Sequence, residues 1–299
     1  MTAAAAHTTA TARPLLGILF MMAAGTVFPV MNGLVQVLAP YYPSEQIVWA
    51  RTASHLAFVL ALFSPRHGFV RLIHTSRLGT QVVRSVLLML STLCFFTALR
   101  HLPLASAASI SFTAPFVVAL AAWPILGERV STGRLIAVAA GFVGVLIVIR
   151  PGTAVFHPAS LLAVGSALCY GLYQVFTRRV AAFDAPETSA VYSALVGTLI
   201  MSVAAMLVWT PIQSATHAAL LLSLGVIGGT GHYCVARALT YAQASVLAPF
   251  QYWQMVGSVI VGYLITGLFP DAWTWLGAAI IIGAGLALGW AETRERSKA

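Results

Sequence analysis

The side chains that could bind a solute stand at helical spacing inside two long apolar runs. In the first run, Phe28, Asn32 and Gln36 are four residues apart, so on a helix they share one face. In the second, Tyr170 and Gln174 repeat this spacing, and Gln174 lies 142 positions after Asn32. Polar groups in an apolar helix either line a route for a substrate or hold neighbouring helices together by hydrogen bonds. Because the two stripes correspond, we predict that they line a cavity.

A second group combines a cation with two imidazoles. Arg51 and His55 are one turn apart in one apolar run, and His232 follows the glycine-dense segment 228–231. The guanidinium of Arg51 would lie about 10 Å below the helix end, at a rise of 1.5 Å per residue. There it could bind the carboxylate of a substrate, or pair with Glu45 or a backbone carbonyl. His232 could equally be a packed, hydrogen-bonded histidine.

A third group follows Pro249, where a proline can leave backbone carbonyls of a helix without donors. Gln251, Trp253 and Gln254 come directly after it. Amide and aromatic groups together suit a ligand that has a polar head and a flat apolar part. Trp253 could instead face lipid. We include all three residues among the predicted substrate-binding side chains.

Chemistry that needs an acid, a metal or a nucleophile has little support in the sequence. All seven acidic residues lie in predicted loops, at helix ends or in the tail, whereas proton-driven carriers usually hold a carboxylate at mid-depth. The cysteines and histidines lack the spacing of a metal site, and we expect no metal or cofactor. The segment 165–167, Gly-Ser-Ala, is the nearest match to a nucleophile motif, so an intramembrane enzyme is a remote alternative. We expect transport, not catalysis, by facilitated diffusion or exchange.

The elements that must position these residues are membrane helices. Of the 299 residues, 60% are hydrophobic and 8% are charged, whereas a soluble protein carries roughly 25% charged residues. A spanning helix needs about 20 mostly apolar residues. We predict ten such spans: 15–38, 44–63, 82–99, 104–126, 133–150, 159–177, 187–209, 218–236, 244–267 and 272–291. The third and fifth spans are short, and we expect their flanking arginines to reach out to the membrane surface.

The basic residues indicate how the spans are oriented. With the N-terminus inside, cytoplasmic segments hold 13 basic residues, outer segments hold Arg100 and Arg150, and Arg51 lies within a span. This pattern predicts a membrane protein with both termini in the cytoplasm. The net charge of +9 does not indicate nucleic-acid binding, because the basic residues stand between apolar runs and not in a folded basic patch.

The chain also repeats itself. The segment 43–45, Pro-Ser-Glu, corresponds to 185–187, Ala-Pro-Glu, and further weak matches follow at a nearly constant offset. We predict two five-helix domains, 15–150 and 158–290. Because five is odd, the second half would enter the membrane inverted, as in many secondary transporters.

The run 105–109, followed by Pro115 and by 123–129, Trp-Pro-Ile-Leu-Gly-Glu-Arg, resembles the fourth-helix signature of the EamA-type drug/metabolite transporter superfamily. The run 244–249 echoes it, although Leu268 stands where the signature has glutamate. The resemblance covers 15–290. It implies an all-α integral membrane fold, with ten transmembrane helices in two inverted five-helix repeats around a central cavity.

Within that superfamily the chain most resembles bacterial amino-acid exporters, including those for aromatic amino acids. The resemblance therefore implies a secondary transporter whose partners are a small-molecule substrate and the lipid bilayer. A drug carrier or another metabolite carrier of the same superfamily is the alternative. We expect a monomer or a homodimer.

Overall fold

The computed structural model describes residues 14–126, 132–153, 156–181, 183–241, 247 and 250–296. Within these residues the chain forms helices and no strands, which confirms the predicted all-α class. The helices are α1 (Pro14–Leu38), α2 (Ser44–His67), α3 (Phe69–Ile73), α4 (Leu78–Leu99), α5 (Leu104–Ser111), α6 (Ala114–Leu126), α7 (Thr132–Ile149), α8 (Ala159–Val180), α9 (Pro186–Leu207), α10 (Ala215–Tyr241), α11 (Trp253–Thr266) and α12 (Ala272–Arg296).

Within the described residues, seven helical stretches are long and apolar enough to cross a membrane. They are Leu15–Leu38, Ser44–Pro65, Leu78–Leu99, Leu104–Ala121, Ala159–Val180, Pro186–Leu207 and Ala215–Val235. Three further apolar helices are shorter, and they coincide with the predicted fifth, ninth and tenth spans: Leu135–Ile149, Trp253–Thr266 and Ala272–Leu288. Residues 127–131 and 242–246, which adjoin two of them, lie outside the described residues. The protein crosses the membrane several times, while the count of ten spans stays a prediction.

The helices pack as a closed ring. Each contacts the next in the order α1, α10, α2, α9, α4, α8, the α5–α6 pair and α11, and α11 returns to α1. α4 also contacts α1 and α2. α2 and α8 are not neighbours in the ring, so side chains that interact between them lie in its interior.

α7 and α12 lie outside the ring and pack against each other and against α5. Small residues allow their backbones to approach closely. A Cβ atom on Gly277 would lie 2.6 Å from the carbonyl oxygen of Gly144, and one on Gly144 would lie 2.9 Å from the carbonyl oxygen of Gly277. This pair supports the ring from one side and supplies none of the predicted polar residues.

The predicted fourth span is not one continuous helix. α5 ends at Ser111, a turn follows, and α6 begins at Ala114. Pro115 explains the break, because it has no N–H to donate to the preceding turn and disfavours helical geometry in the residue before it. In the second half, Tyr252 is also a turn residue, directly before α11. The rings of Phe112 and Tyr252 lie 5.3 Å apart, so the two interruptions meet.

Polar contacts join the α1–α2 turn to the α9–α10 connection, and we call this region the Tyr42 end. The side chain of Gln46 donates to the carbonyl oxygen of Thr210 and accepts from its N–H, both at 2.9 Å. The Tyr42 hydroxyl lies 2.9 Å from Nδ1 of His217 and accepts the N–H of Gln213 at 3.1 Å. Arg100 donates to the carbonyl oxygen of Tyr42. Neutral side chains and backbone groups therefore make most of this junction.

Candidate functional site

The predicted cation and imidazoles come together where α2 packs against α10. The His55 and His232 rings are stacked with centroids 6.1 Å apart, and Phe28 of α1 meets His232 edge-on at 5.2 Å. Arg51 interacts electrostatically with both histidines. The structure therefore brings together Phe28, Arg51, His55 and His232, four of the predicted substrate-binding residues, whose role in binding stays a prediction.

Glycines of α10 make this approach possible. A Cβ atom on Gly225 would lie 2.6 Å from the carbonyl oxygen of Arg51, and one on Gly228 would lie 3.5 Å from its Nε. A Cβ atom on Gly231 would lie 2.7 Å from the ring of Phe28. The glycine-dense segment therefore remains helical and serves close packing.

Arg51 is 5% exposed, and its Nε has no hydrogen-bond partner among the described residues. Its charge interacts with Tyr170 and Tyr173 of α8. Because α2 and α8 face each other across the ring, this interaction lies in the ring interior. Tyr170 stacks on Tyr173 at 5.7 Å and remains 36% exposed, so space remains beside it. We call Phe28, Arg51, His55, Tyr170, Tyr173 and His232 the central cluster.

Arg84 of α4 is a second buried cation, and it is 2% exposed. We expected this arginine to flank the third span and extend outward. Instead it points inward, where several acceptors satisfy it: Thr177 Oγ1 at 3.1 Å, Gln81 Oε1 and the Ser189 carbonyl oxygen at 2.8 Å, and the Tyr173 hydroxyl at 3.2 Å. Its guanidinium also lies 5.0 Å from the centre of the Tyr173 ring. Sequence reasoning missed it because it stands at the edge of an apolar run, where a flanking charge is the ordinary interpretation.

The carboxylate of Asp184 is linked to Arg84 by hydrogen bonds through the side-chain amide of Gln81. Gln81 accepts from Arg84 and donates to Asp184 Oδ2 at 2.7 Å, and the Thr75 hydroxyl donates to the same oxygen at 2.5 Å. Gln81 also donates to the Ser189 hydroxyl at 3.1 Å. We call Asp184, Gln81 and Arg84 the relay, and the region around Asp184 the Asp184 end. The relay connects a turn at the end of the bundle to Tyr173 in the central cluster.

The remaining residues of the two predicted stripes have different surroundings. Asn32 is buried, and Gln174 is half-buried. Gln36 donates to the carbonyl oxygens of Leu99 at 3.4 Å and Leu102 at 3.0 Å. It therefore satisfies carbonyls where α4 ends, which a helix end leaves without partners. A role for these three residues in substrate binding stays a prediction.

The group after Pro249 lies along α1. Trp253 is 39% exposed and donates its indole N–H to the Thr26 hydroxyl at 3.1 Å. Gln251 is exposed and Gln254 is half-buried, with its backbone against Gly25. In the part of the chain that the structure describes, no hydrogen bond or ring contact joins these three side chains to the central cluster. Their substrate role likewise stays a prediction.

Acidic groups are absent from the central cluster, as far as side chains are described. Glu45, Asp184, Glu187 and Asp271 lie in turns or in the first turn of a helix. No group of three or more histidine, cysteine, aspartate and glutamate side chains that could hold a metal ion occurs among the described residues. The serine of the weak nucleophile motif, Ser166, donates its hydroxyl to the Ser91 carbonyl oxygen at 2.8 Å and so serves α4–α8 packing.

Comparison with known proteins places this bundle among carriers. The model of the EamA-like transporter family matches residues 14–150 and again 157–289. A riboflavin transporter from Vibrio cholerae is 28% identical over 272 residues, covering 90% of this chain and 91% of the relative. An S-adenosylmethionine uptake transporter from Rickettsia prowazekii is 30% identical over 75% of this chain and 76% of its own.

A pseudopaline exporter from Pseudomonas aeruginosa is 30% identical over 91% of this chain and 95% of the relative. One crystal structure superposes with a TM-score of 0.64 and 17% identity, covering 93% of this chain and 98% of that one, and it supports the fold alone. The names of these relatives do not single out amino-acid exporters, as we expected from the sequence, and they include both uptake carriers and an exporter. The two family matches cover nearly the whole chain, which is therefore a membrane transport protein built from two EamA repeats and belongs to the EamA-like transporter family.

Proposed function

We propose that the chain is a secondary carrier that moves amino acids and related small metabolites, aromatic ones included, across the bacterial inner membrane. The observation that carries this proposal is Arg51, a buried cation with an unused Nε, set beside the rings of the central cluster. A flat ring of the solute would pack against these aromatic side chains, and its carboxylate would bind the guanidinium. Asn32 and Gln174 can supply both donors and acceptors without adding charge.

We further propose that the two EamA repeats are inverted in the membrane. Two contacts support this. The Tyr42 hydroxyl lies against His217, and the Asp184 carboxylate lies against Thr75. Asp184 follows Tyr42 by 142 positions, and His217 follows Thr75 by the same interval. Corresponding residues thus make corresponding contacts in the two halves, as expected of repeats related by an axis in the membrane plane.

We also propose that the Tyr42 end lies outside and both termini lie in the cytoplasm, which the charge pattern supports. Facilitated diffusion or exchange is the mechanism that fits the positions of the acidic residues. A proton-driven carrier usually keeps a carboxylate at mid-depth, and the described acidic side chains lie at helix ends and in turns. Net flux or counterflow should therefore proceed without a proton gradient.

Uptake into proteoliposomes tests this function. We expect labelled phenylalanine to enter faster than threonine, to be accelerated by phenylalanine inside, and to be unaffected by a protonophore. Protein-free liposomes and the variant Arg71→Gln, at an exposed position outside the ring, are the controls. The proposal is wrong if neither amino acid enters above the protein-free rate, or if the protonophore abolishes counterflow at fixed internal pH.

A riboflavin-like cargo is a second candidate, favoured by a relative named as a riboflavin transporter. Riboflavin has a flat ring system and a neutral polyol chain, so it would use the aromatic side chains but would have no carboxylate for Arg51. The variant Arg51→Gln separates the two candidates. If the proposal holds, this variant should abolish phenylalanine uptake. If the cargo is riboflavin, riboflavin uptake should remain intact.

A further inference from the structure

The two buried arginines differ in how far they are satisfied. Four of the five N–H donors of the Arg84 guanidinium have acceptors within hydrogen-bonding distance. Arg51 is as deeply buried, yet its Nε has no partner among the described residues. An unpaired buried cation is costly. Arg84 is therefore held by the protein, whereas Arg51 is left for something the protein does not supply.

The charge of Arg51 is not neutralised by the described groups around it. From α2 comes His55, from α10 His232, and from α8 the hydroxyls of Tyr170 and Tyr173. From α4, Arg84 interacts electrostatically with His232. α1 contributes the uncharged ring of Phe28 against His232. None of these groups is a carboxylate, and the carboxylate nearest in the network, Asp184, is already bonded to Gln81 and Thr75.

These surroundings should favour the carboxylate of an amino acid over its ammonium group. A carboxylate at Arg51 would accept hydrogen bonds from its guanidinium and would neutralise its charge. An ammonium placed in the same space would meet the like charge of Arg51. The anionic group of the solute is thus the one that this cluster can recognise, and a cationic group can only weaken binding.

We propose that the preferred cargo is an aromatic carboxylate without an ammonium group, with the carboxylate bound by Arg51 between α2 and α8. This inference rests on the proposed carrier function and narrows its substrate class. Arg51 is then a specificity-determining residue for the negative charge, and the aromatic side chains of the central cluster accept the ring.

Four probes of nearly equal size test the charge preference on the wild-type protein: 3-phenylpropanoate, phenylalanine, 3-phenylpropanol and phenethylamine. Binding to the purified full-length protein in detergent, measured by titration calorimetry, avoids leakage of the weak acid through lipid. We expect affinity to fall in that order, with at least a tenfold difference between 3-phenylpropanoate and phenethylamine. Equal or tighter binding of phenethylamine would overturn the charge preference and leave an amino-acid or metabolite carrier possible. If no probe binds, both this inference and the aromatic cargo of the proposed function are wrong.

The variant Arg51→Gln shows whether this residue sets the preference. It should weaken the binding of 3-phenylpropanoate at least tenfold and leave the binding of 3-phenylpropanol unchanged. Arg150→Gln, outside the ring, should change neither affinity. Arg51→Lys covers the case in which the glutamine variant does not fold: it keeps the charge but loses the planar fork. It should bind the anion more weakly than wild type and still prefer it to phenethylamine. An unchanged anion affinity in either variant would exclude Arg51 as the binding group.

Discussion

The Tyr42 end and the Asp184 end each join the two halves of the chain by hydrogen bonds, but with different kinds of side chain. At the Tyr42 end, Gln46 pairs with the backbone of Thr210 and Tyr42 with His217, so most of the junction is neutral. At the Asp184 end, the carboxylate is linked through Gln81 to a buried arginine. That arginine donates to the Tyr173 hydroxyl. Among the described residues, hydrogen bonds join the Asp184 end, and not the Tyr42 end, to the central cluster. Changes at the Asp184 end should therefore affect solute binding as well as stability.

The largest effect is expected from Arg84→Met. The change leaves Gln81, Ser189 and Tyr173 without their buried donor and Asp184 without its balancing charge. Removing one partner from a buried charged network costs about 3–5 kcal/mol, so we expect the free energy of unfolding to fall by that amount in an SDS titration, with loss of transport. Arg71→Met, an exposed arginine near the same end, is the matched control. A fall of similar size in both variants would show that the buried contacts of Arg84 do not account for the loss of stability.

A smaller effect is expected from Asp184→Asn. Thr75 and Gln81 keep an oxygen acceptor but lose its charge, and a hydrogen bond to a charged group contributes about 1.5–3 kcal/mol. Because the relay positions Tyr173, we also expect the KM for the transported solute to rise. Glu187→Gln alters a carboxylate three residues further along and should leave KM unchanged. If the two variants behaved alike, net charge at this end would matter and the relay would not.

The smallest effect is expected from Gln46→Ala at the Tyr42 end. It removes two neutral hydrogen bonds, each contributing about 0.5–1.5 kcal/mol, and should lower stability without changing KM. Gln213→Ala, whose side chain is exposed in the same connection, is the reference variant. A rise in KM as large as that of Asp184→Asn would mean that both ends act on the solute site, and the contrast between them would be lost.

Helical periodicity indicated residues that the structure brings together. Arg51 and His55 share one helix face by their spacing, and the structure adds Phe28 and His232 from two other helices. Gln36 has the same spacing but lies beside the end of α4, whose carbonyls need a donor. Periodicity along one helix cannot show what a neighbouring helix presents.

The features missed by sequence reasoning depend on contacts between distant segments. Arg84 stands where a flanking arginine would stand, and its acceptors on α8 and α9 (Tyr173, Thr177 and the Ser189 carbonyl) explain why it points inward. The interruption at Phe112 could have been predicted, because Pro115 follows it. The apolar run continues through the break, however, and suggests one span. In both cases a local pattern had two physical solutions, and tertiary packing selected one.

The glycine face of α10 has a consequence for how mutational tolerance is interpreted. Any side chain at Gly225, Gly228 or Gly231 would displace Arg51, its neighbours or Phe28. In a saturation screen scored by cell growth, these backbone positions would therefore appear as intolerant as residues that touch the solute. Sorting the same library by abundance in the membrane would divide the two sets, because crowded glycine variants should disappear from the membrane while Arg51 variants that fold would persist and fail only in transport.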